Sequence, residues 1–161
     1  MEIWDLYNEN REVIGEQIRG QALPENGYHL VVHVWIRNRE GRYLISQRAA
    51  NRPTFPLMWE CVGGSVLQGE SSLHGALREV KEEVGITLAP ENGTLLFSEI
   101  RHGFHDILDV WRFTYDGEIS LQEAETDEVA QSRWMTREDV QRLRESGQLV
   151  ETLFYFFDWP D

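Results

Sequence analysis

One predicted helix places three glutamates and an arginine within a turn and a half. The segment reads GSVLQGESSLHGALREVKEEVGI over residues 64–86, and its charged group is Arg78, Glu79, Glu82 and Glu83. Residues three and four positions apart are neighbours on a helix surface, so the three carboxylates share one side. A solvated acidic face is the usual explanation for such a run by itself. A cluster of carboxylates can also hold a divalent cation, and that cation can bind phosphates.

The apolar residues of the same helix predict which side is buried. At about 100° per residue they form one stripe that should pack against a sheet, and its members are Leu73, Ala76, Leu77, Val80 and Val84. Ser71 or Ser72 can cap the first turn. Gly85 suits the left-handed position that ends a helix.

The surrounding sequence predicts an α/β domain of packed layers. Strands are predicted at residues 30–38, 43–48, 61–64, 94–100, 107–115 and 131–135. The first two read as a β-hairpin with its turn near Gly41. A second helix is predicted over 136–147, with Thr136 as its N-cap, and the aromatic tail that follows is predicted to form a short helix.

Length and composition limit the possible functions. The 161 residues suit a single domain over 1–161, with residues 1–27 as an N-terminal extension that forms a strand pair. The acidic N-terminus does not resemble a signal peptide, no apolar run approaches the roughly 20 residues that span a bilayer, and Cys61 is the only cysteine. We therefore expect a cytoplasmic protein without a membrane partner. A net charge of −13 argues against binding a nucleic acid polymer.

The charged helix and its flanks fit every position of the Nudix box, G-x5-E-x7-R-E-U-x-E-E-x-G-U, where U is aliphatic. The matching residues are Gly64, Glu70, Arg78, Glu79, Val80, Glu82, Glu83, Gly85 and Ile86. The chain therefore resembles the Nudix hydrolase family of the MutT type over about residues 28–143. The lead-in WECVGG and the later SRWM are also similar to that family. The resemblance implies a Nudix-type α/β/α sandwich with a mixed β-sheet.

This resemblance also implies hydrolysis of a nucleoside diphosphate linked to another moiety, with Mg²⁺ or Mn²⁺ as the cofactor. It assigns Glu79, Glu82 and Glu83 as metal ligands, together with the carbonyl oxygen of Gly64. Arg78 is expected to orient Glu79 or its neighbours by charge-assisted hydrogen bonds. Glu70 is expected to brace the loop before the helix. Glu79, Glu82 and Arg78 are predicted to be catalytic residues.

The general base is expected either from the box or from a carboxylate in a later loop, EAETDEVAQSRW. Glu128, six residues before Trp134, is the preferred match and is predicted both as a catalytic residue and as a metal ligand. Asp127 and Glu125 follow as alternatives. An exposed acidic loop without a catalytic role explains these two equally well.

Arg101 and His105, near a strand end, and Arg48 are candidates for substrate contacts, with Arg52 as a further candidate. Surface solvation explains Arg48 and Arg52 equally well. The expected partner is a small nucleotide or another diphosphate. His33, in an apolar strand, is predicted to be a hydrogen-bonded core residue. The N-terminal strands and the aromatic tail could pack within one chain or across a homodimer.

Two alternative functions follow from the same residues. The N-terminal half also looks like the Nudix branch related to isopentenyl diphosphate isomerase. That enzyme needs a reactive cysteine and a histidine-rich metal site at positions that Gly63 and Ser65 occupy here, and Cys61 lies two residues too early. The second alternative is a Nudix module that senses a nucleotide without cleaving it. The complete acidic cluster argues against both.

Overall fold

The computed structural model describes residues 1–159. The strands are β1 (Ile3–Tyr7), β2 (Val13–Ile18), β3 (His29–Arg37), β4 (Tyr43–Arg48), β5 (Trp59–Glu60), β6 (Val62–Ser65), β7 (Gly93–Arg101), β8 (Asp106–Thr114) and β9 (Val129–Met135). The helices are α1 (Ser72–Val84), α2 (Arg137–Glu145) and a C-terminal 3-10 helix (Glu151–Asp158). The last two residues of the predicted tail helix lie outside the described residues. Across residues 1–159, no helix has the length and apolar composition needed to cross a membrane.

Strand β3 is the centre of a mixed sheet. It runs parallel to β8 over nine residue pairs, from His29 beside Asp106 to Arg37 beside Thr114. On its other edge β3 pairs antiparallel with β6, and β7 pairs antiparallel with β8. The run LVVHVWI in β3 is rich in β-branched and aromatic residues, which suit a strand buried on both faces.

The hairpin predicted over residues 30–48 is confirmed at its turn, but the prediction that its two strands pair along their length was wrong. Gly41 does adopt a positive φ of 79°, but β3 and β4 are paired only at Arg37 and Tyr43. Strand β4 instead pairs antiparallel with β5 and β9. Both edges of β3 are occupied by β6 and β8, so β4 separates from it and the sheet splits at this corner.

Two hydrophobic cores lie on the two faces of the sheet. Leu30, Val32, Val34 and Ile36 of β3 pack against α1, including its Ala76, Val80 and Val84. On the opposite face, Trp35 stacks on Phe156 of the C-terminal 3-10 helix with ring centroids 4.6 Å apart, and Val140 of α2 belongs to the same core. The alternation along β3 thus produces the predicted α/β/α sandwich with a mixed sheet, which is confirmed.

The N-terminal residues form a separate antiparallel pair, β1 with β2. This hairpin packs on the rest of the chain through Trp4, whose ring stacks on His29 at 4.1 Å. The aromatic tail is also buried within the chain, since Phe156 is fully enclosed. Trp4 and Leu6 of the hairpin are buried within the chain, whereas Val13 and Ile14 of β2 are exposed. Homodimerisation stays a prediction.

Candidate active site

Helix α1 presents its apolar stripe to the sheet and its charged group to one side. Ser71 caps the first turn, its side chain accepting a hydrogen bond from the His74 backbone N–H at 3.1 Å. Gly85 ends the helix with a φ of 71°, as predicted. Between these ends, Glu79 lies against the sheet and is only 9% exposed. Part of the acidic face of α1 is therefore shielded from water.

Two glycines allow strand β6 to approach these carboxylates closely. A Cβ atom added to Gly64 would collide with the carboxylate of Glu79. One added to Gly63 would lie 2.9 Å from the backbone oxygen of Val32 in the neighbouring strand. Glycine is needed here for close approach, and the backbone of Gly64 forms the wall against which Glu79 rests.

Arg78 joins four acceptors around the start of the cluster. Its Nε and Nη2 donate to the Glu70 carboxylate at 2.7 and 3.0 Å, and Nη2 also donates to the backbone oxygen of Ser65 at 3.0 Å. Its Nη1 donates to Glu79 and to Glu82, each at 3.1 Å. Arg78 thus contacts the carboxylates that it was expected to orient. The Glu70 carboxylate also accepts from the Leu67 backbone N–H at 2.8 Å, which ties the loop to the helix.

The acidic side of α1 forms one wall of an open cleft of about 250 Å³. Carboxylates from three segments of the chain line this cleft, together with arginines and the backbone of β6. The lining residues are Glu2, Arg19, Val31, Arg48, Arg52, Thr54, Gly63, Gly64, Ser65, Glu79, Glu82, Glu83 and Glu128. All five predicted metal ligands therefore lie around one space.

Burial and mutual repulsion disfavour the charged forms of two of these carboxylates. Burial, opposed by Arg78 and reinforced by Glu82 and Glu128, raises the pKa of Glu79 to about 7. Burial and the nearby charges of Glu79, Glu60 and Glu128 raise the pKa of Glu83 well above its usual range. A cation placed among them would reverse this effect, because an opposite charge favours the ionised form.

The loop before β9 brings only one of its three acidic candidates to this cleft. The backbone N–H groups of Glu125 and Thr126 donate to the carbonyl oxygen of Glu82 at 2.8 and 3.0 Å, which fastens the loop to α1. Glu128 then lines the cleft and forms an ion pair with Arg52 at 3.3 Å. Glu125 and Asp127 do not line it.

Glu60 is a carboxylate of this region that the sequence analysis missed. It accepts hydrogen bonds from Arg48 Nη1 at 2.7 and 3.0 Å, and it lies beside Glu83 and Glu128 in a recess that adjoins the cleft. Burial raises its pKa, against the opposing effect of Arg48. The available signal was a single carboxylate between Trp59 and Cys61 in an otherwise apolar strand.

Two residues predicted to contact substrate lie elsewhere. Arg101 is held by Asp106 through two hydrogen bonds of 2.8 and 2.7 Å and lies over the ring of Phe104. His105 has a left-handed backbone conformation, and its carbonyl oxygen accepts from the His29 N–H at 3.0 Å. Neither Arg101 nor His105 lines the carboxylate cleft, whereas Arg48 and Arg52 do.

His33 is a hydrogen-bonded core residue, as predicted. The hydroxyl of Tyr155 accepts a hydrogen bond from Trp35 Nε1 at 2.9 Å and lies 2.8 Å from His33 Nδ1. Because an indole N–H can only donate, the Tyr155 oxygen is the acceptor in its contact with Trp35. Burial, with a smaller contribution from the charge of Arg101, lowers the pKa of His33 to about 3.

The first prediction concerns this histidine and pH. The unfolded chain binds a proton at His33 below a pKa of about 6.5, whereas the folded chain resists it, so folding is favoured above that pH. As pH decreases from 6.5 towards 3, wild type should lose up to about 1.4 kcal/mol of unfolding free energy per pH unit relative to His33→Gln. Urea denaturation of both proteins between pH 7 and 5 measures this difference. The exposed His74, replaced by Gln, is the matched control, and equal slopes for wild type and His33→Gln would contradict the prediction.

The donor set of the cleft fits a hard divalent cation. Mg²⁺ and Mn²⁺ prefer oxygen ligands, and Glu79, Glu82, Glu83 and Glu128 supply carboxylates beside the backbone of Gly64. Within residues 1–159, no three acidic, histidine or cysteine side chains are already placed close enough together to hold a metal ion. Arg78 holds the carboxylates of Glu79 and Glu82 instead. Burial first, and neighbouring carboxylates second, raise the pKa values of Glu79 and Glu83, and a bound cation would favour their ionised forms.

Known proteins are similar to this chain in sequence and in fold. A model described as the NUDIX domain matches residues 27–156. The uncharacterized Nudix hydrolase lin0387 of Listeria innocua is 42% identical over 160 residues, which is 98% of this chain and 91% of that protein. The MutT protein of Methanosarcina mazei is 26% identical, with a TM-score of 0.63 over 81% of this chain and 91% of its own. DR0079 of Deinococcus radiodurans, at 22% identity, shares the fold with a TM-score of 0.77 over 97% of this chain and 96% of that one.

Proposed function

Because the chain belongs to the Nudix family of diphosphate hydrolases, we propose that it catalyses the Mg²⁺- or Mn²⁺-dependent hydrolysis of a nucleoside diphosphate linked to another moiety. The observation that carries this proposal is the meeting of four carboxylates around one cleft. Glu79, Glu82 and Glu83 come from α1, and Glu128 comes from a loop 45 residues further along the chain than Glu83.

Each residue of the cleft has a distinct proposed role. Glu79, Glu82, Glu83 and Glu128 would hold the cation with the carbonyl oxygen of Gly64. The cation, when bound, would neutralise phosphate charge and lower the pKa of a water molecule. Arg78 would position Glu79 and Glu82, since its contacts are made to groups of α1, of the loop before it and of the end of β6. Arg48 lines the same cleft and would contact substrate phosphate.

Glu128 is the proposed general base. Its carboxylate lies at the cleft and is held by Arg52 at 3.3 Å, and its backbone oxygen accepts from the Ala49 N–H at 2.9 Å. A carboxylate fixed in this way can accept a proton from a water molecule that attacks phosphorus. Glu125, by contrast, contributes its backbone N–H to the Glu82 carbonyl.

The second prediction separates these two loop residues. Glu128→Gln should lower kcat by a factor of about 100 or more, which is the usual contribution of a positioned acid or base. Glu125→Gln should leave kcat within about threefold of wild type, because the change keeps its backbone contact and alters an exposed side chain. Initial rates at saturating substrate for both variants measure the ranking, and the reverse order would assign the base to Glu125.

The substrate is proposed to be a small diphosphate compound and not a nucleic acid polymer. The net charge of −13 disfavours a long polyanion, while a single diphosphate can be bound through cations and a few arginines. A recess of about 80 Å³ adjoins the cleft and is lined by Val31, His33, Cys61, Gly63, Gly64 and residues of the C-terminal segment. This recess supports a substrate that extends beyond its diphosphate.

The experiment that tests the function is a phosphate-release screen over nucleoside diphosphate derivatives, each with Mg²⁺, with Mn²⁺ and with EDTA. Hydrolysis of at least one compound, abolished by EDTA, is expected. Calorimetric binding of a nucleotide without turnover would favour the sensing module. Conversion of isopentenyl diphosphate to its double-bond isomer would favour the isomerase-like alternative, although Gly63 and Ser65 occupy the positions of that enzyme's reactive groups.

A further inference from the structure

The N-terminal hairpin contributes two residues to the carboxylate cleft. Glu2 and Arg19 line it together with Glu79 and Glu82, although both lie outside the Nudix-matched segment 27–156. They sit at the open end of the β1–β2 pair, where the Arg19 backbone N–H donates to the Glu2 carbonyl oxygen at 3.1 Å. The hairpin is thus a wall of the site and not only an added strand pair.

Polar contacts along the hairpin hold it in this place. Arg11 reaches the fully buried Asp109 of β8 with two hydrogen bonds of 2.8 and 2.5 Å. The Asp5 carboxylate accepts from the Gly69 backbone N–H at 3.0 Å, and the Ile3 carbonyl oxygen accepts from the Gln68 N–H at 2.9 Å. Two of these contacts are made to the loop that precedes α1. The position of Arg19 is therefore coupled to the same loop that Glu70 and Arg78 brace.

The three arginines of the cleft differ in how firmly they are held. Arg48 is held by Glu60 and by the backbone oxygen of Thr54, and Arg52 pairs with Glu128. Arg19 pairs with Glu2 at 2.8 Å, and the two side chains are 58% and 38% exposed. Exposed pairs of this kind contribute little stability. Arg19 can therefore exchange Glu2 for an anion at small cost.

We propose that Arg19 is a substrate-binding residue, which contacts a phosphate oxygen of the diphosphate from the hairpin side of the cleft. This inference rests on the proposed function for the identity of the substrate. It makes the N-terminal hairpin part of the specificity site, with Glu2 as the group that Arg19 releases when the anion binds. Arg19 contributes to substrate affinity, while the carboxylates of α1 and Glu128 are responsible for the chemistry.

Calorimetric titration of the full chain with methylene diphosphonate, a non-hydrolysable diphosphate analogue, in the presence of Mg²⁺ tests the inference. Arg19→Ala should weaken binding about tenfold, the usual loss for one hydrogen bond to a charged group, and Arg19→Lys should restore most of it. Glu2→Gln should strengthen binding about two- to threefold, because it removes the competing carboxylate. Arg39→Ala is the matched control, since Arg39 is 80% exposed and pairs with Asp116 away from the cleft.

The binding and turnover results together show whether the Arg19 site, the hydrolase activity, or both are correct. Equal affinities for Arg19→Ala and Arg39→Ala, or no binding of the analogue by wild type, would overturn the inference, and hydrolysis in the substrate screen would still stand by itself. Arg19-dependent binding without turnover of any diphosphate would keep the anion site and reject the hydrolase. Once the screen has identified a substrate, Arg19→Ala should raise its KM about tenfold and change kcat by less than about threefold. Equal urea midpoints for wild type and Arg19→Ala would exclude a folding defect.

Discussion

Glu82→Gln is expected to lower kcat by about two to three orders of magnitude, because a metal ion supplies several kcal/mol of charge stabilisation to phosphoryl transfer. The substitution removes one negative charge and keeps the shape of a side chain that is partly exposed beside Arg78. The fold should remain, since α1 is held by its apolar stripe. Steady-state kinetics with the substrate from the screen would measure the effect, with circular dichroism to verify the helix content.

A second measurement on the same variant reports on the cation without turnover. Mg²⁺ or Mn²⁺ should raise the unfolding midpoint of wild type, because a ligand that binds only the folded state stabilises it. This increase should be smaller for Glu82→Gln. Glu138→Gln, an exposed glutamate in the first turn of α2, is the matched control and should behave as wild type. Normal turnover by Glu82→Gln with an unchanged metal requirement would refute the assignment of Glu82 as a ligand.

Arg11→Met is expected to lower the unfolding free energy by about 3 kcal/mol, the lower end of the range for removing one partner of a buried ion pair. Arg11 is itself 40% exposed, but Asp109 is fully buried and would keep its charge with only Ser98 and Ser72 as hydrogen-bond donors. Urea denaturation at pH 7 measures the loss. The effect should shrink as pH decreases, because Asp109 without its arginine can be protonated more easily.

The matched control for this prediction is Arg39→Ala, whose pair with Asp116 is 3.4 Å long and exposed. Its effect should be below about 1 kcal/mol, as for most surface pairs. A loss for Arg11→Met no larger than that of the control would mean that the other contacts of the hairpin are sufficient to hold it, namely Trp4, the loop contacts and the backbone hydrogen bonds between Tyr7 and Tyr28. Since the hairpin also carries Arg19, Arg11→Met should weaken binding of the diphosphate analogue as well.

Local rules were sufficient for the elements around the Nudix box. The apolar stripe of α1, the serine before it and the glycine after it predicted a helix with one buried side, and Thr136 predicted the start of α2. These signals act over a few residues, where hydrogen bonds at helix ends and side-chain spacing decide the structure. The strand pairing was less predictable. Strand β4 was expected beside β3 and lies mostly beside β9, whose residues follow about 90 positions later.

The sequence by itself determined the family, the fold class and the acidic side of α1, because the spacing of Arg78, Glu79, Glu82 and Glu83 on one helix specifies their geometry. Only the tertiary structure decided which distant groups join them. It brings Glu128 to the cleft and leaves Glu125 and Asp127 outside. It places Glu60 beside Glu83, and it carries Arg19 to the cleft through a hairpin held by the pair of Arg11 with Asp109. These contacts join segments far apart in the chain, and no local spacing rule reaches across such distances.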